Sequence, residues 1–233
     1  MHVIRYAKLP VIYNTGAIQA ELLSSQKDWK PHFNTYDYSG SWTVMALRSP
    51  GGSHENIIPD ARGNENYRDT AYMDDFSSVK NLIKSLNCQV LTARFLNLQA
   101  GAIIKQHRDH ELAFEKGEAR LHFPVITNPG VEFYCEDERI FLNEGECWYL
   151  NANLPHRVSN NGTADRIHLV VDCVVNNWLT GLINSSEKIS QKKDAENDEQ
   201  LLKAIAHMRL QNTEAGTRFA DEWEQKLKER NKT

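Results

Sequence analysis

Between Cys88 and Asn176 the chain passes through eight short stretches rich in Val, Ile, Phe, Tyr and Trp: QVLTARFLNL, AIIKQH, ARLHFPVIT, VEFYCE, RIFLN, ECWYLN, HRVSN and RIHLVVDCVV. QAG, NPG, NEG and NNGT bound them, and such Gly-, Pro- and Asn-rich breaks are turn chemistry. So many short strands in so little chain leave room for little except an antiparallel sandwich or barrel. The expected class is therefore mainly β, with a core over residues 88–176 and flanking helices. Before that core the sequence reads as short strands, His2–Tyr6 and Trp42–Arg48, alternating with helices over Ala17–Lys27 and Met73–Leu86. Asp74 and Asp75 fall in the first turn of the second helix, where the helix dipole favours acids. SPGGSHENIIPDARGNEN is turn-rich. Residues 1–183 are expected to form the main domain and 184–233 a polar helical extension. There Phe219, Trp223 and Leu227, at i, i+4 and i+8, form a stripe able to pack on the barrel or on a second subunit.

Composition narrows the function classes. A length of 233 residues, 40% of them hydrophobic and five of them Trp, suits one folded domain with a small appendage. The formal charge of −4 gives no ground for binding nucleic acid or a membrane surface. The four Cys form no CxxC pair, and those in apolar strand-like runs read as buried thiols rather than a disulfide or zinc site. No apolar run approaches the ~20 residues of a membrane span. A soluble, cytoplasmic setting is expected.

KQHRDHELAF, residues 105–114, admits two chemistries. His-Arg-Asp opens the catalytic loop of protein kinases, but that loop needs Asn five residues after its Asp, where this chain has Phe114. No glycine-rich phosphate loop precedes it, no DFG follows it, and the surroundings are β-type. Metal binding is the alternative. In an extended segment residues i and i+2 project to one side, so His107 and Asp109 can offer nitrogen and oxygen to one ion. His156, held rigidly by a Leu-Pro-His corner, is the best third ligand, while His110 would face away. Two His and one carboxylate make the facial triad of non-haem Fe(II) oxygenases. Against this stands the plain reading of His107 and Asp109 as surface-loop residues, since HxD recurs by chance.

Two further strands favour a site. In ARLHFPVIT, Arg120 and His122 share one face, with Leu121, Phe123 and Val125 on the other. In RIHLVVDCVV, Arg166 and His168 lie opposite Ile167, Leu169 and Val171. A solvent-facing sheet would mix Lys, Glu, Thr and Ser at such positions, whereas His, Asp and Arg suggest convergence inside a barrel mouth. Two buried arginines then need anions, and a dicarboxylate would satisfy at least one through both its oxygens. Trp148 and Tyr149 could line the pocket, although alternating aromatics in a strand more often belong to the core.

In order and spacing, HRD, ARLHFPV, GECWYLNANLPH and RIHLVVD resemble the aspartyl/asparaginyl β-hydroxylase family of Fe(II)/2-oxoglutarate dioxygenases, relatives of the bacterial proline cis-3- and cis-4-hydroxylases. GSWTVMALRSPGG also resembles the GxW…LR…G stretch of the proline cis-4-hydroxylases, so the likeness spans residues 40–175. It implies a double-stranded β-helix, the cupin-like jelly roll. It implies iron ligation by His107, Asp109 and His156, with Arg166 on the distal carboxylate of 2-oxoglutarate. Arg120 and His122 match an RxH strand whose arginine binds the co-substrate's other carboxylate in some members and the substrate carboxylate in others. Trp42 and Arg48 match a strand that flanks the substrate, making Arg48 a candidate for a substrate carboxylate. The implied reaction uses Fe(II), 2-oxoglutarate and O2 to hydroxylate an unactivated C–H bond, releasing succinate and CO2. Animal aspartyl hydroxylases lack the acidic ligand that Asp109 would supply, which favours a free amino acid over an Asp or Asn side chain in a peptide. Two rivals are a cupin-like isomerase or sensor that does not use 2-oxoglutarate, and a catalytically silent partner-binding module.

Overall fold

Each of the eight apolar runs forms a strand in the computed structural model, which describes residues 2–59, 66–109, 112–193, 195–211 and 213–230. His110 and the 60–65 portion of the turn-rich segment lie outside the described residues. In chain order the elements are β1 (His2–Leu9), α1 (Thr15–Ser24), β2 (Lys30–Pro31), β3 (Tyr38–Ser39), β4 (Trp42–Pro50), β5 (Tyr67–Asp69) and α2 (Ser77–Ser85). The eight core strands follow: β6 (Val90–Leu98), β7 (Ile103–His107), β8 (Glu118–Ile126), β9 (Val131–Cys135), β10 (Glu138–Ile140), β11 (Cys147–Leu150), β12 (His156–Asn160) and β13 (Arg166–Val174). Helix α3 (Asn177–Asn184) comes next.

These strands build two antiparallel sheets. The larger runs β1-β11-β8-β13-β6-β4-β2, with β5 beside β4, and the smaller runs β10-β9-β12-β7-β3. The architecture is a mainly β jelly roll with flanking helices. Alternation along the strands divides the larger sheet into two unlike faces. On one, Met45, Leu47, Phe95, Leu121, Phe123, Leu169 and Val171 pack in a single core with Ile18 and Leu22 of α1, Val79 and Leu82 of α2 and Leu179 and Ile183 of α3. The other face carries the polar side chains and meets the smaller sheet, as the ring contacts His122–Phe133 and Trp42–His107 show.

Helix starts follow local chemistry. Asn14 caps α1 by accepting from the Ala17 N–H at 3.0 Å, and Asn176 caps α3 by accepting from Leu179 at 3.1 Å. The segment read as one helix over Met73–Leu86 is instead a 3-10 turn at Ala71–Asp75 followed by α2. Thr70 caps the turn, and the chain breaks direction at Phe76 before α2 begins. All four Cys are free thiols, and Cys135, Cys147 and Cys173 are buried. Among the described residues no helix is long and apolar enough to cross a membrane.

Ile4–Ser190 forms one compact unit. Strand β14 (Lys188–Lys193) leads into a second, from Gln191 on, in which α4 (Ala195–Leu210) and α5 (Glu214–Arg230) pack against each other. Arg209 of α4 pairs with Asp221 and Glu224 of α5. Within that unit Trp223 and Leu227 are half-buried while Phe219 is exposed.

Two turns at the same end of the jelly roll touch through glycine. A Cβ on Gly130 would meet the Gly162 backbone nitrogen at 2.5 Å, and both neighbours are main chain that cannot swing aside. Gly130→Ala is therefore expected to cost about 1–3 kcal/mol by overpacking, read as a lowered midpoint in urea unfolding.

Candidate metal centre

His107 ends β7 and His156 begins β12, and the two face each other as register partners across adjacent strands. Their ring centroids lie 4.2 Å apart. Asp109 follows β7 by two residues, and its backbone N–H donates to the Ala152 carbonyl at 2.8 Å. That bond ties the residue to the turn before His156. His107, Asp109 and His156 each offer a ligand atom within 4.8 Å of the others. No other group of this kind occurs among the described residues.

The backbone also sets which nitrogens are available. His107 Nδ1 lies 2.8 Å from the Lys105 carbonyl, and His156 Nδ1 lies 2.9 Å from the Leu154 carbonyl. A carbonyl only accepts, so each Nδ1 carries the proton and each Nε2 keeps a free lone pair. Burial pulls the His156 imidazole down to about 4, and His107 beside it adds to the effect. Burial alone would raise the Asp109 carboxyl, but the Arg120 guanidinium and the two imidazoles hold it below the usual carboxylate value. A neutral imidazole and an ionised carboxylate are the forms that bind metal. This donor set fits Fe(II), which His107, Asp109 and His156 would hold through two imidazoles and one carboxylate.

A charged network braces the triad. Arg120 on β8 donates to Asp109 through one Nη. Its Nε and other Nη donate to both oxygens of Asp172 on β13, at 2.7 and 3.1 Å. Arg94 on β6 and the Thr92 hydroxyl reach Asp172 as well, at 2.8 and 2.9 Å. Burial would lift the Asp172 carboxyl; Arg120 and Arg94 overrule it and hold the group far below its ordinary value. Arg120 is thus spoken for by two carboxylates of its own chain.

Arg166, at the start of β13, is 2% exposed and has no anionic partner among the described residues. One Nη donates to His168 Nδ1 at 2.8 Å, so the neutral His168 carries its proton on Nε2. That Nε2 and the Arg166 Nε are both buried without a hydrogen-bond partner among the described residues. Burial pushes the Arg166 guanidinium down, and burial followed by the Arg166 charge pushes His168 well below its ordinary value. A guanidinium in this position takes up an anion far more readily than it gives up a proton. The two orphan N–H groups fit a carboxylate. Phe133 on β9 connects this end of the site to the triad: its ring stacks on His156 at 6.4 Å and lies edge-on to His122 at 5.9 Å, and the Arg166 guanidinium sits 6.0 Å from it.

Two cavities open on the polar face. One of about 280 Å³ is lined by His107, Asp109, Arg94, Arg120 and Trp42, and the other, of about 430 Å³, by Arg166, His168 and Phe133. His107, Asp109, His156, Arg120, Arg166 and Trp42 lie at the metal centre or along these cavities, and His122 lines a small third cavity beside His156. Arg48 does not. A β-bulge between Ala46 and Arg48 shifts the register of β4, and the Arg48 side chain is used up on Asp69 at 2.8 Å and on the Tyr67 and Val90 carbonyls. The side chain expected beside the substrate is thus engaged within its own sheet, away from both cavities. Trp148 and Tyr149 line neither cavity; the Tyr149 hydroxyl instead accepts the Phe114 N–H. Asn151 donates to the Ile4 carbonyl and accepts from the Asn153 N–H, which builds the corner before His156.

Sequence reasoning missed Arg94, Asp172 and His32. The signal for two of them was present: Thr92 and Arg94 form an i, i+2 polar pair inside TARFL, and Asp172 continues the stripe of Arg166 and His168. His32, on a short edge segment with no periodicity, offered none.

A family model described as aspartyl/asparaginyl β-hydroxylase matches residues 13–175. Over 135 residues the chain is 27% identical to an L-proline cis-4-hydroxylase of Rhizobium meliloti (strain 1021), covering 57% of this chain and 48% of that protein. The chain thus spans about half the length of this curated relative. Among solved structures, a 2OG-Fe(II) oxygenase family oxidoreductase from Burkholderia pseudomallei aligns at 13% identity and TM-score 0.45, covering 72% of this chain and 84% of that one. A Pseudomonas putida prolyl-4-hydroxylase aligns at 10% identity and TM-score 0.44, covering 75% and 94%.

Proposed function

Because the chain belongs to the aspartyl/asparaginyl β-hydroxylase family, we propose that it is an Fe(II)/2-oxoglutarate-dependent hydroxylase acting on an amino acid. The observation that carries this reading is the pairing of the His107, Asp109 and His156 triad with an Arg166 that is buried and lacks a counter-ion among the described residues. A metal site alone would suit many cupin-like proteins. A second site for an anion, beyond Phe133 from the triad, is what a metal-chelating dicarboxylate requires.

His107, Asp109 and His156 would hold Fe(II), and Arg166 with His168 would hold the far carboxylate of 2-oxoglutarate. When bound, iron and 2-oxoglutarate together activate O2 for insertion into an unactivated C–H bond, with succinate and CO2 released. The chain's own residues orient and insulate. Lys105 and Leu154 fix both imidazoles with Nε2 free. Arg120 keeps Asp109 ionised and aimed, itself held by Asp172. The 27% identity to a protein named for L-proline hydroxylation supports a free amino acid as substrate. The presence of an acidic ligand supports the same choice.

The direct test measures conversion of 2-oxoglutarate to succinate across free amino acids and short Asp- and Asn-containing peptides. Turnover stimulated by a free amino acid is expected; no turnover with any member of the panel would sink the reading. Arg166→Ala is expected to raise the KM for 2-oxoglutarate by about 10- to 100-fold, since it removes charge-assisted hydrogen bonds from a dry site. An unchanged KM in that variant would remove Arg166 from the 2-oxoglutarate site, and activity that does not depend on 2-oxoglutarate would point to the rival metal protein.

A further inference from the structure

Two thiols meet on the face of the larger sheet turned away from the metal centre. Cys88 lies two residues before the start of β6, and Cys173 lies near the end of β13. These strands are antiparallel neighbours in which Cys173 is the register partner of Val90. Hydrogen bonds on both sides of Cys88 pin it to β13 and the turn that follows. The Gln89 carbonyl accepts the Val174 N–H at 2.9 Å, and the Asn87 carbonyl accepts from the Asn176 side chain at 2.7 Å. Residues i and i+2 of an extended segment share a face, so Cys88 joins Val90 and Cys173 against the apolar core. Cys88 is thereby a diagonal cross-strand neighbour of Cys173, and the two sulfurs lie within hydrogen-bond reach.

The members of the pair are unlike. Cys88 is half-buried, whereas Cys173 is fully buried. The Cys173 S–H has two acceptors in reach, the Ala119 carbonyl at 3.6 Å and the Cys88 sulfur. A thiolate at Cys88 is the stronger acceptor, since a hydrogen bond to a charged group is roughly twice as strong as one to a neutral group. That bond outweighs burial and holds the Cys88 thiol below its ordinary value. The same bond, followed by burial, pushes Cys173 well above its own. One sulfur is thus partly exposed and inclined to ionise, and a protonated thiol stands beside it. Burial pushes the Cys147 thiol well up, and Cys135 belongs to the smaller sheet.

We infer that Cys88 and Cys173 form a peroxide-reactive dithiol, in which Cys88 reduces hydrogen peroxide and Cys173 closes a disulfide. The Cys88 thiolate attacks one peroxide oxygen; an S–O bond forms, the O–O bond breaks, and hydroxide leaves. The Cys173 sulfur then attacks the resulting sulfenic acid; the S–S bond forms, the S–O bond breaks, and the Cys173 proton departs with the oxygen as water. Two thiols are oxidised and one peroxide is reduced. A resolving thiol so close by stops Cys88 short of the irreversible sulfinic acid. The reaction is independent of the hydroxylase reading, since neither sulfur touches the metal centre.

The test treats the full chain with hydrogen peroxide, with a chelator present to exclude iron-driven oxidation. Free thiols are followed with time and the product is mapped by mass spectrometry. The parent is expected to lose two of its four thiols, to give a peptide cross-linked between Cys88 and Cys173, and to recover both thiols in dithiothreitol. Cys88→Ser is expected to slow thiol loss by about 10-fold or more, because the thiols that remain are buried and protonated. Cys173→Ala should lose a single thiol and keep a sulfenic acid at Cys88, which dimedone traps. Serine at 88 replaces a half-exposed sulfur, so that variant serves if the Cys173 variant does not fold. The inference is overturned if peroxide leaves all four thiols free, if the disulfide joins other cysteines, or if Cys88→Ser reacts as fast as the parent.

Discussion

His156→Ala is expected to abolish metal binding and to lower hydroxylation by about 10³-fold or more. Removing even an outer partner of a metal ligand costs 10- to 100-fold in affinity or activity, so loss of one of three ligands must exceed that. The effect should be specific to the metal. The His156 side chain gives up one bond to the Leu154 carbonyl and a stack on Phe133, while the β12 pairings with β7 and β9 are made by backbone. The metal-free variant should therefore melt close to the metal-free parent. Titration with Mn(II) checks the first part, and a variant that binds Mn(II) as the parent does would remove His156 from the ligand set.

The second large effect falls on stability. Asp172→Ala leaves Arg120 and Arg94 as buried cations with only Asp109 nearby, and the Thr92 hydroxyl without its partner. Breaking a buried ion pair from one side costs about 3–5 kcal/mol, because the surviving charge is stranded rather than merely unpaired. For a chain of this size that corresponds to a fall in Tm of roughly 6–20 °C. The same network implies a direction with pH. A carboxyl depressed in the folded state contributes stability that is complete above its unfolded value near 3.9 and is lost as the pH falls through the lower folded value. The parent should lose stability as the solution is acidified below about pH 4, and Asp172→Ala should lack that component. Equal acid sensitivity in the two proteins would mean that Asp172 is not the group responsible.

The parts of this molecule that could be read from sequence are those where chemistry and periodicity coincide. His107 and Asp109 stand two apart on an extended segment, Arg120 and His122 likewise, and Arg166 and His168 likewise. Alternation fixes which face they share, and strand pairing carries them to the polar interior. What escaped was set by tertiary contacts. Arg48 obeyed the alternation of its own strand until a bulge, invisible in sequence, turned it toward Asp69. Arg94 and Asp172 looked like interruptions of apolar runs and gained meaning only when β6, β8 and β13 lay side by side. His32 belongs to a segment whose position depends on stacking against Trp42 rather than on any local pattern.

The two unlike faces of β13 have one further consequence. Arg166, His168 and Asp172 alternate with Ile167, Leu169, Val171 and Cys173, which pack in the apolar core with the helices. A slip of one residue against β8 or β6 would drive two charged groups and an imidazole into that core and bring four apolar side chains into the polar interior. Such a misfolded pairing is penalised many times over. The groups that do the chemistry thereby act as a proofreading device during assembly, rejecting any alignment of the central strand that is out by an odd number of residues.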